Sequence, residues 1–520
     1  MSLRRILSVL KWCVVVFCVA FAAILGARAW DAERGPPLQP WHLFAPTELT
    51  ESELDHAAWP DYIAAENAAF DSVRTEVTDK LPEPDRTALD RYYAASPIYP
   101  PHFAQDWNRS TVLEPAGAPI GAAVFLHGLT DAPYSLRHIA ERYRAAGYIA
   151  ILLRLPGHGT TPAALTQIAW PQWSAAVRLA MREAAQRAPG KPIHLVGYSN
   201  GGALAMIHTM DALDTPALIR PDRVILLSPM IGVSRFARFS GLAGLPAFLP
   251  AFAKAAWLGI LPEYNPFKYN SFPVNAARQS WLVTQALADR IRSHLRNGTI
   301  EGLPPILTFQ STMDATVLTR AVVTGLYDHL PANGSELVLF DVNRATGLAQ
   351  LLRPAAEASP TALLSAPPRR YRATIIANET PATADAIERV EDAGATTEWY
   401  NRIGLAYPPQ VYSLSHIAVP FPVTDPLYGL QPDPGREFGI ALGAIDARGE
   451  RGVLLTPLDA ILRISSNPFF PYLLARVAAL IDPAAAAEPP HLPWPPPGTP
   501  AELPAAAGPT APDSNPAEPP

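Results

Sequence analysis

The stretch His194–Ala205 reads HLVGYSNGGALA and places Ser199 between an apolar run and a helix-forming run. Glycines 197 and 201 flank this serine, although a Gly-x-Ser-x-Gly match alone is met by chance in many proteins. Its context is more specific, because we predict a strand over Pro192–Val196 and a helix over Gly201–Leu213. A strand that turns sharply into a helix brings the two backbones together, which only small residues allow at the glycine positions. Ser199 is therefore a candidate nucleophile at a helix N-terminus, where free backbone N–H groups favour negative charge.

The chain on both sides of this turn alternates between short apolar runs and helical patterns. The predicted strands are Ala122–Leu126, Tyr148–Leu155, Pro192–Val196, Arg223–Leu227, Ile306–Gln310 and Glu336–Asp341. The helices predicted before the serine turn are Pro133–Ala145 and Trp173–Arg187. Strands that are apolar on both faces and separated by helices are typical of a parallel sheet covered on both sides. The fold class is therefore predicted to be α/β, with a mostly parallel sheet and helices on both faces.

A serine nucleophile needs a histidine base, which this topology places after the acid in the chain. His416 is the candidate, in the loop VYSLSHIAVPF that follows an apolar stretch. A structural histidine is the alternative at this position. Beyond the helix that follows the serine there are three other histidines, but His294 lies in a polar helical stretch, His329 ends a predicted helix and His491 lies in a Pro-rich tail.

The acid that would orient the base is expected at the carboxyl end of a strand, where open α/β sheets place their chemistry. Asp314 meets this condition, since it follows the predicted strand Ile306–Gln310 in the loop STMDATV. Asp341, at the end of ELVLFD, is the alternative. Either aspartate could instead cap a turn or helix.

An oxyanion formed at the serine would need backbone donors beside it. The N–H of Asn200, directly after the nucleophile, is the first expected donor. The second is the N–H of Leu129, in the loop that follows the first predicted strand, where Gly128 permits close approach of the backbone. His127 in the same loop is expected to be a structural hydrogen-bonding residue.

Several motifs in the right order give the sequence a specific resemblance. They are FLHGLTDAPYSLRHIAERYRAAGYIAILLRLPGHGTTPAAL, VGYSNGGALA, STMDATV and SLSHIAVPF. Together they resemble the α/β-hydrolases, in particular the carboxylesterase and monoacylglycerol lipase branch that is grouped with the serine aminopeptidases of the S33 type. The resemblance covers roughly Ile120–Phe421. It implies an α/β-hydrolase fold with Ser199 as nucleophile, Asp314 as acid, His416 as base, and Leu129 and Asn200 as oxyanion donors.

The resemblance also suggests how the chain is divided. The hydrolase domain is expected at about 111–481, with a helical cap at about 230–298 in which the apolar stretch FARFSGLAGLPAFLPAFAKAAWLGIL would line an acyl pocket. The interval from Asp314 to His416 is 102 residues (416 − 314). That is far longer than a helix and a strand require, so we expect an insertion at about 342–410.

The N-terminus carries an export signal. Residues 1–30 have Arg4, Arg5 and Lys11 before an uncharged run, Trp12–Ala27, and acidic residues follow. The segment is long enough to span a bilayer, and the positive residues would stay inside. We therefore expect a membrane-anchored protein whose catalytic domain faces the extracytoplasmic or periplasmic side. The alternative is secretion after cleavage near Ala29.

Composition limits the remaining possibilities. Proline supplies 58 of 520 residues and is concentrated near the two ends. We expect residues 31–110 to be an extension packed on the core, and 482–520 to be a disordered tail of Pro and Ala. Net charge is −6 without a long basic run, which argues against nucleic acid as a partner. Both cysteines lie in the N-terminal apolar segment, and no metal motif occurs, so no metal or cofactor is expected.

These features predict a serine hydrolase acting on a small-molecule ester or lipid-derived substrate with an apolar acyl chain. One alternative is a serine aminopeptidase or amidase with the same three residues, which would need a carboxylate in the cap to hold an amine. Only Glu263 and Asp289 are available in Met230–Leu295. The other alternative is a non-catalytic envelope protein that uses the fold for binding.

Overall fold

The computed structural model describes residues 3–232, 247, 250–354, 360–432, 437–445, 463–482 and 492–493. The predicted tail falls outside these ranges except for residue 482 and residues 492–493, and so do residues 233–246 and 248–249 of the predicted cap. The helices are α1 (Leu3–Glu33), α2 (Pro40–Leu43), α3 (Glu51–His56), α4 (Trp59–Val73), α5 (Arg137–Ala145), α6 (Trp170–Arg187), α7 (Asn200–Asp214), α8 (Val274–His294), α9 (Thr319–Gly325) and α10 (Phe470–Ile481).

Most of the strands belong to a single large sheet. They are β1 (Thr111–Leu113), β2 (Gly121–Leu126), β3 (Tyr148–Leu153), β4 (Ile193–Tyr198), β5 (Arg223–Leu227), β6 (Trp257–Gly259), β7 (Phe272–Pro273), β8 (Ile306–Ser311), β9 (Glu336–Phe340), β10 (Arg372–Asn378), β11 (Asp385–Glu391), β12 (Trp399–Ala406) and β13 (Leu492–Pro493). The large sheet has the order β1-β3-β2-β4-β5-β8-β9-β10-β11-β12-β13, and β6 pairs with β7 separately.

The pairings from β3 through β10 are all parallel, and the outer strands β1, β11, β12 and β13 are antiparallel. The prediction of a mostly parallel sheet is therefore confirmed. Strands β10, β11 and β12 lie in the long interval between Asp314 and His416, and they extend the sheet instead of forming a separate layer. Of these three strands, only β10 coincides with an apolar run in the sequence, Tyr371–Asn378 (YRATIIAN).

Alternating side chains of each strand divide the core between the two faces of the sheet. Val124 and Leu126 of β2 point to the face covered by α6, α7 and α8. Phe125, between them, points to the opposite face, where it packs with residues of α5 and α10. The predicted helices on both faces are thus confirmed.

The strand predicted over Tyr148–Leu155 is too long, because β3 ends at Leu153. Arg154 instead turns its buried guanidinium toward two carboxylates of the N-terminal segment. Its Nη1 lies 2.8 Å from Glu48 Oε1, and its Nε lies 2.9 Å from Glu66 Oε2. The ion pairs hold α4 and the segment before it against the edge of the core.

The N-terminal helix α1 contains a long apolar segment. Leu10–Asp31 has a mean hydropathy of 2.3 over 22 residues, which is long and apolar enough to cross a membrane, and a signal sequence has the same properties. Beyond it, Lys254 Nζ donates hydrogen bonds to the carbonyls of Glu33 and Gly35, each at 3.1 Å. The end of the apolar helix therefore contacts the segment that follows β5.

Candidate active site

Ser199 occupies a strained turn between β4 and α7. Its φ of 53° and ψ of −115° are unfavourable for a residue with a side chain. The turn is tight, because a Cβ at Gly197 would lie 2.5 Å from the carbonyl oxygen of Gly201. The Ser199 N–H donates to the carbonyl of Leu227 on β5, at 3.0 Å. The serine is thus fixed at the carboxyl end of the sheet and at the start of a 15-residue helix.

The structure brings Ser199, His416 and Asp314 into one line of hydrogen bonds. The distance from His416 Nε2 to Ser199 Oγ is 2.9 Å, and that from His416 Nδ1 to Asp314 Oδ2 is 2.8 Å. All three side chains are nearly excluded from solvent, with Ser199 exposed by 8% and His416 by 4%. A histidine held in this way can accept the serine proton on Nε2 while the carboxylate accepts the Nδ1–H.

Asp314 lies directly after β8, where its carboxylate is held by several donors. Oδ1 accepts the N–H groups of Thr316 and Val317 at 2.8 and 2.9 Å, and Oδ2 accepts Gln310 Nε2 at 3.2 Å. Burial alone would raise the pKa of Asp314, but the hydrogen bond and charge of His416 and the two backbone N–H groups keep it below its usual value. The group therefore stays ionised at neutral pH, as an orienting carboxylate must.

His416 begins a short 3₁₀ turn, His416–Ala418, and the residues before it are held by serine hydroxyls. Ser311 Oγ donates to the Leu414 carbonyl at 2.8 Å, and Ser415 Oγ donates to the Ile464 carbonyl. The imidazole stacks on the Tyr198 ring, with 5.5 Å between ring centroids. These contacts fix the position and plane of the ring.

A buried ion cluster centred on Asp425 supports the same loop. Its carboxylate is fully buried, and it accepts hydrogen bonds from Tyr134 Oη and His138 Nε2, both at 2.9 Å. Arg137 Nη2 lies 2.9 Å from Asp425 Oδ2 and forms an ion pair with it. The start of α5 and the turn before it are thereby joined to the chain nine residues after His416.

The loop with the expected second oxyanion donor lies against the serine. A Cβ at Gly128 would come within 3.3 Å of Ser199 Cβ, so the absence of a side chain permits the close approach. His127 Nε2 accepts the Leu155 N–H at 3.0 Å, and its Nδ1 therefore carries the proton and donates to the Gly128 carbonyl at 2.8 Å. With both nitrogens engaged by the backbone, His127 holds the loop that contains Leu129.

The other candidates for the acid and the base do not join the line of hydrogen bonds from Ser199 to Asp314. Asp341 Oδ2 pairs with Arg344 at 3.1 Å, and Asp341 Oδ1 accepts the N–H of Val342. His294 lies 3.0 Å from Asp214, and His329 ends a short 3₁₀ helix, Tyr327–His329. His491 lies outside the described residues.

The two carboxylates of the predicted cap also have partners within the chain. Glu263 accepts the N–H groups of Asn270 and Ser271 at 2.9 and 2.8 Å, and Asp289 pairs with Arg292 on the surface. Both oxygens of buried Glu263 are therefore occupied by backbone N–H groups. Within the part of the chain that the structure describes, no group of three or more His, Cys, Asp or Glu side chains could hold a metal ion.

Sequence reasoning missed the groups that position His416. Tyr198 was noted only as part of the serine turn, and Asp425, Ser311 and Ser415 received no role. Asp425 lies 287 and 291 residues from the side chains that it binds, so no local spacing indicates the cluster. The one available signal was an aspartate soon after the candidate histidine.

Residues 117–341 match the family model described as serine aminopeptidase, S33. Thermostable monoacylglycerol lipase from Bacillus sp. (strain H-257) is 36% identical over 88 residues, which are 17% of this chain and 34% of the lipase. The chain thus spans about a third of the length of this curated relative.

The chain is also similar to two solved structures. A soluble variant of monoglyceride lipase from Saccharomyces cerevisiae is 15% identical with a TM-score of 0.34, covering 44% of this chain and 81% of that one. The monoacylglycerol lipase from Paleococcus ferrophilus is 16% identical with a TM-score of 0.33, covering 49% and 97%. The chain thus has an α/β-hydrolase fold, and residues 117–341, less than half of its length, are similar to the serine aminopeptidase S33 family.

Proposed function

We propose that this protein is a serine hydrolase that cleaves carboxylic esters through an acyl-enzyme on Ser199. The observation that carries the proposal is the continuous line of hydrogen bonds from Ser199 Oγ through His416 to Asp314, at the carboxyl end of a parallel sheet. The serine lies at a helix N-terminus, and the base lies within the reach that general-base catalysis requires.

In the proposed reaction, His416 Nε2 takes the Ser199 proton while Oγ attacks the ester carbonyl carbon. The N–H groups of Leu129 and Asn200 donate to the oxyanion of the tetrahedral intermediate. The intermediate collapses, the bond to the alcohol oxygen breaks, and His416 returns the proton to the leaving alcohol. Water then attacks the acyl-enzyme with His416 again as base, which releases the carboxylic acid and restores Ser199.

Asp314 is proposed to hold His416 as the tautomer with its proton on Nδ1 and to stabilise the imidazolium during each transfer. The depressed pKa of Asp314 supports this role, because a protonated carboxyl could not do so. The engagement of both Glu263 oxygens by backbone N–H groups supports esters over substrates with a free amine, because that buried carboxylate is not free to bind an amine.

The proposed substrates are small esters with apolar acyl chains, including monoglyceride-like lipids. The apolar sequence between β5 and β7 supports this choice, and the Bacillus relative is named a monoacylglycerol lipase. We further propose that α1 anchors the chain with the catalytic domain on the extracytoplasmic side. The charges before Trp12 support that orientation. The mass of the mature N-terminus distinguishes an anchor from cleavage near Ala29.

The test uses the full chain with p-nitrophenyl esters of increasing acyl length. Ser199→Ala is expected to lower kcat by about 10⁴-fold or more, and labelling by a fluorophosphonate probe should disappear. Unchanged activity in the folded variant would refute Ser199 as nucleophile. Hydrolysis of aminoacyl-naphthylamides without hydrolysis of esters would instead identify an aminopeptidase, and a folded wild type that neither labels nor turns over would identify a binding protein.

A matched pair of aspartates tests the proposed acid. Asp314→Asn is expected to lower kcat by about 10⁴-fold, because the amide favours the wrong imidazole tautomer. Asp341→Asn alters another buried carboxylate near a strand end but leaves His416 untouched, so its kcat should remain within a few-fold of the wild-type value. The reverse result would transfer the role to Asp341.

A further inference from the structure

The segment after β5 lies against the end of the apolar helix α1. Residues Pro250–Ala256 form a short 3₁₀ segment that packs on α1, and Ala29 of α1 is only 6% exposed. The next residue, Trp30, is 61% exposed, so protein covers one side of the helix end and leaves the other side open. Because Ala29 and Trp30 lie inside the apolar span Leu10–Asp31, the covering segment is at the depth at which this span ends.

Lys254 fixes this packing at the carboxyl end of α1. Its ammonium donates to the carbonyls of Glu33 and Gly35, both at 3.1 Å. The last carbonyls of a helix have no partner within the helix and carry partial negative charge, so a lysine is favourable there. Lys254 is also the one charged residue in the sequence Pro250–Gly259. Since this charge is directed to the helix end, the rest of the segment is apolar.

The neighbouring helix α2 extends the apolar surface. Its His42 ring meets the Trp257 ring edge-on, with 4.7 Å between the ring centroids. The residues that follow these two rings in the chain, Leu43 and Leu258, are 68% and 45% exposed. A group of large apolar side chains left open beside an apolar helix is typical of an interaction surface. The apolar face is defined by three exposed side chains: Trp30, Leu43 and Leu258.

The length of the apolar span sets the height of this face relative to a bilayer. Its 22 residues extend about 33 Å as an α-helix, while the hydrocarbon core of a bilayer is about 30 Å thick. Asp31 therefore reaches the boundary of the core, and the carbonyls bound by Lys254 lie in the headgroup layer, which is about 5–7 Å thick. Trp30 has the Arg34 guanidinium 3.6 Å above its ring centre, and tryptophan is enriched at this boundary.

We propose that the apolar face rests on the membrane leaflet next to the carboxyl end of α1, with Leu43 and Leu258 in contact with lipid. The lipid surface is the occupant because of continuity, since α1 enters the bilayer directly beside this face and Lys254 holds the two together. An ester lipid in that leaflet then lies beside the segment between β5 and β7. The inference rests on the proposed anchoring by α1, and it does not depend on hydrolysis at Ser199.

Fluorescence quenching of the full chain in vesicles of phosphatidylcholine and phosphatidylglycerol tests the contact. The two cysteines are first replaced (Cys13→Ala, Cys18→Ala), and Leu258→Cys is then labelled with nitrobenzoxadiazole. Phosphatidylcholine with a spin label near its headgroup should quench about half of this emission or more, because an interfacial apolar group enters the leaflet by about 5–10 Å. The matched control is Ile120→Cys, which is 49% exposed at the start of β2, the sheet edge opposite to Ser199. Its label should lose only about a tenth of its emission.

Leu43→Glu tests the same face through activity. A glutamate at this position opposes contact with lipid, so hydrolysis of a monoacylglycerol held in vesicles should fall about fivefold or more. Hydrolysis of p-nitrophenyl acetate, which is dissolved in water, should stay within about twofold of the wild-type rate. Ile120→Glu is the matched control, and it should leave both rates within about twofold.

Carbonate extraction of the membranes separates the possible failures. Release of the chain with an N-terminus cleaved near Ala29 would contradict the anchor, and this proposal would fall with it. If the chain is retained and the Leu258→Cys label is quenched no more than the Ile120→Cys label, only the present proposal is overturned. A dimer in light scattering whose Leu258→Cys label is shielded without lipid quenching would overturn it too, since a second copy would then cover the face. Absence of ester hydrolysis in the wild type would contradict the esterase proposal only, because quenching does not depend on activity.

Discussion

The two sides of the candidate site are held in different ways. Ser199 and Asp314 are fixed mainly by backbone groups close to them, in the turn after β4 and the loop after β8. The Ser199 N–H bonds the neighbouring strand, and Asp314 receives the N–H groups of residues two and three positions along. His416 instead depends on side chains from distant parts of the chain, including Ser311, Tyr198 and the Asp425 cluster.

From this difference we predict which substitutions each side can tolerate. On the serine side, Ser199 and Asp314 are held by backbone groups next to the sheet. We therefore expect that only a substitution that disturbs this backbone will displace them. The histidine side is held by buried charges, whose loss should weaken a loop and leave the sheet in place. Substitutions that act on one side alone can therefore test whether the two sides are held independently.

The largest effect is expected on the serine side. A Cβ at Gly201 would lie 2.0 Å from the Leu126 carbonyl oxygen, which is backbone and cannot rotate away. Gly201→Ala should therefore cost more than about 4 kcal/mol of the free energy of unfolding, a large part of the stability of a typical domain. Thermal unfolding monitored by circular dichroism measures the loss.

Gly117→Ala is the matched control, because nothing lies within 4 Å of a Cβ at that position. It should leave the unfolding temperature within a few degrees of the wild-type value. A Gly201→Ala protein as stable as this control would show that the turn can relax, and the backbone account of the serine side would fail.

The next largest effect is expected on the histidine side. Asp425→Asn removes the charge that pairs with buried Arg137, and breaking a buried pair in this way costs about 3–5 kcal/mol. Urea unfolding measures the loss of stability. Because the loop that carries His416 loses its support, kcat for ester hydrolysis should fall more than KM changes.

Asp55→Asn is the control for this experiment, since Asp55 pairs with Arg178 at 2.7 Å on the surface. Exposed pairs contribute about 1 kcal/mol or less. Equal losses in the two variants would mean that the Asp425 cluster does not support the loop.

The same contrast explains what could be predicted from sequence. The parallel strands and the serine turn follow from local alternation of apolar runs, so β5 was predicted to its ends and β4 and α7 to within two residues. Ser199, Asp314 and His416 could be selected because topology fixes their order. The role of Asp425 could not be predicted, because its partners lie 287 and 291 residues away in the sequence. The antiparallel strands β11 and β12 could not be predicted either. Nothing local distinguishes a strand such as Asp385–Glu391, with four charged residues, from an exposed loop.

The smallest effect concerns the pH dependence of two buried aspartates with opposite behaviour. On the serine side, Asp131 lies in the loop after β2 whose Gly128 approaches Ser199. Burial raises the pKa of Asp131 to about 6, although Lys268 and a hydrogen bond from Ser135 oppose the rise. On the histidine side, burial alone would raise the pKa of Asp425, but Arg137 and His138 lower it below its usual range. Both residues are at most 5% exposed, so solvent screens neither charge strongly.

These opposite shifts predict opposite changes in stability. A raised folded-state pKa means that the native protein binds a proton more tightly than the unfolded chain, so Asp131 makes the wild type lose stability as pH rises from about 4 to 6. Asp131→Asn lacks this titration, and its free energy of unfolding should improve relative to wild type by about 1–3 kcal/mol between pH 4 and pH 7. The stabilisation from Asp425 is complete above its unfolded-state pKa and is lost as pH falls below about 4, so the deficit of Asp425→Asn should shrink toward acid pH. Urea unfolding at pH 4, 5, 6 and 7 measures the free energy of unfolding of both variants and of the wild type. If the difference between Asp131→Asn and the wild type does not vary with pH, the pKa of Asp131 is not raised in the folded protein.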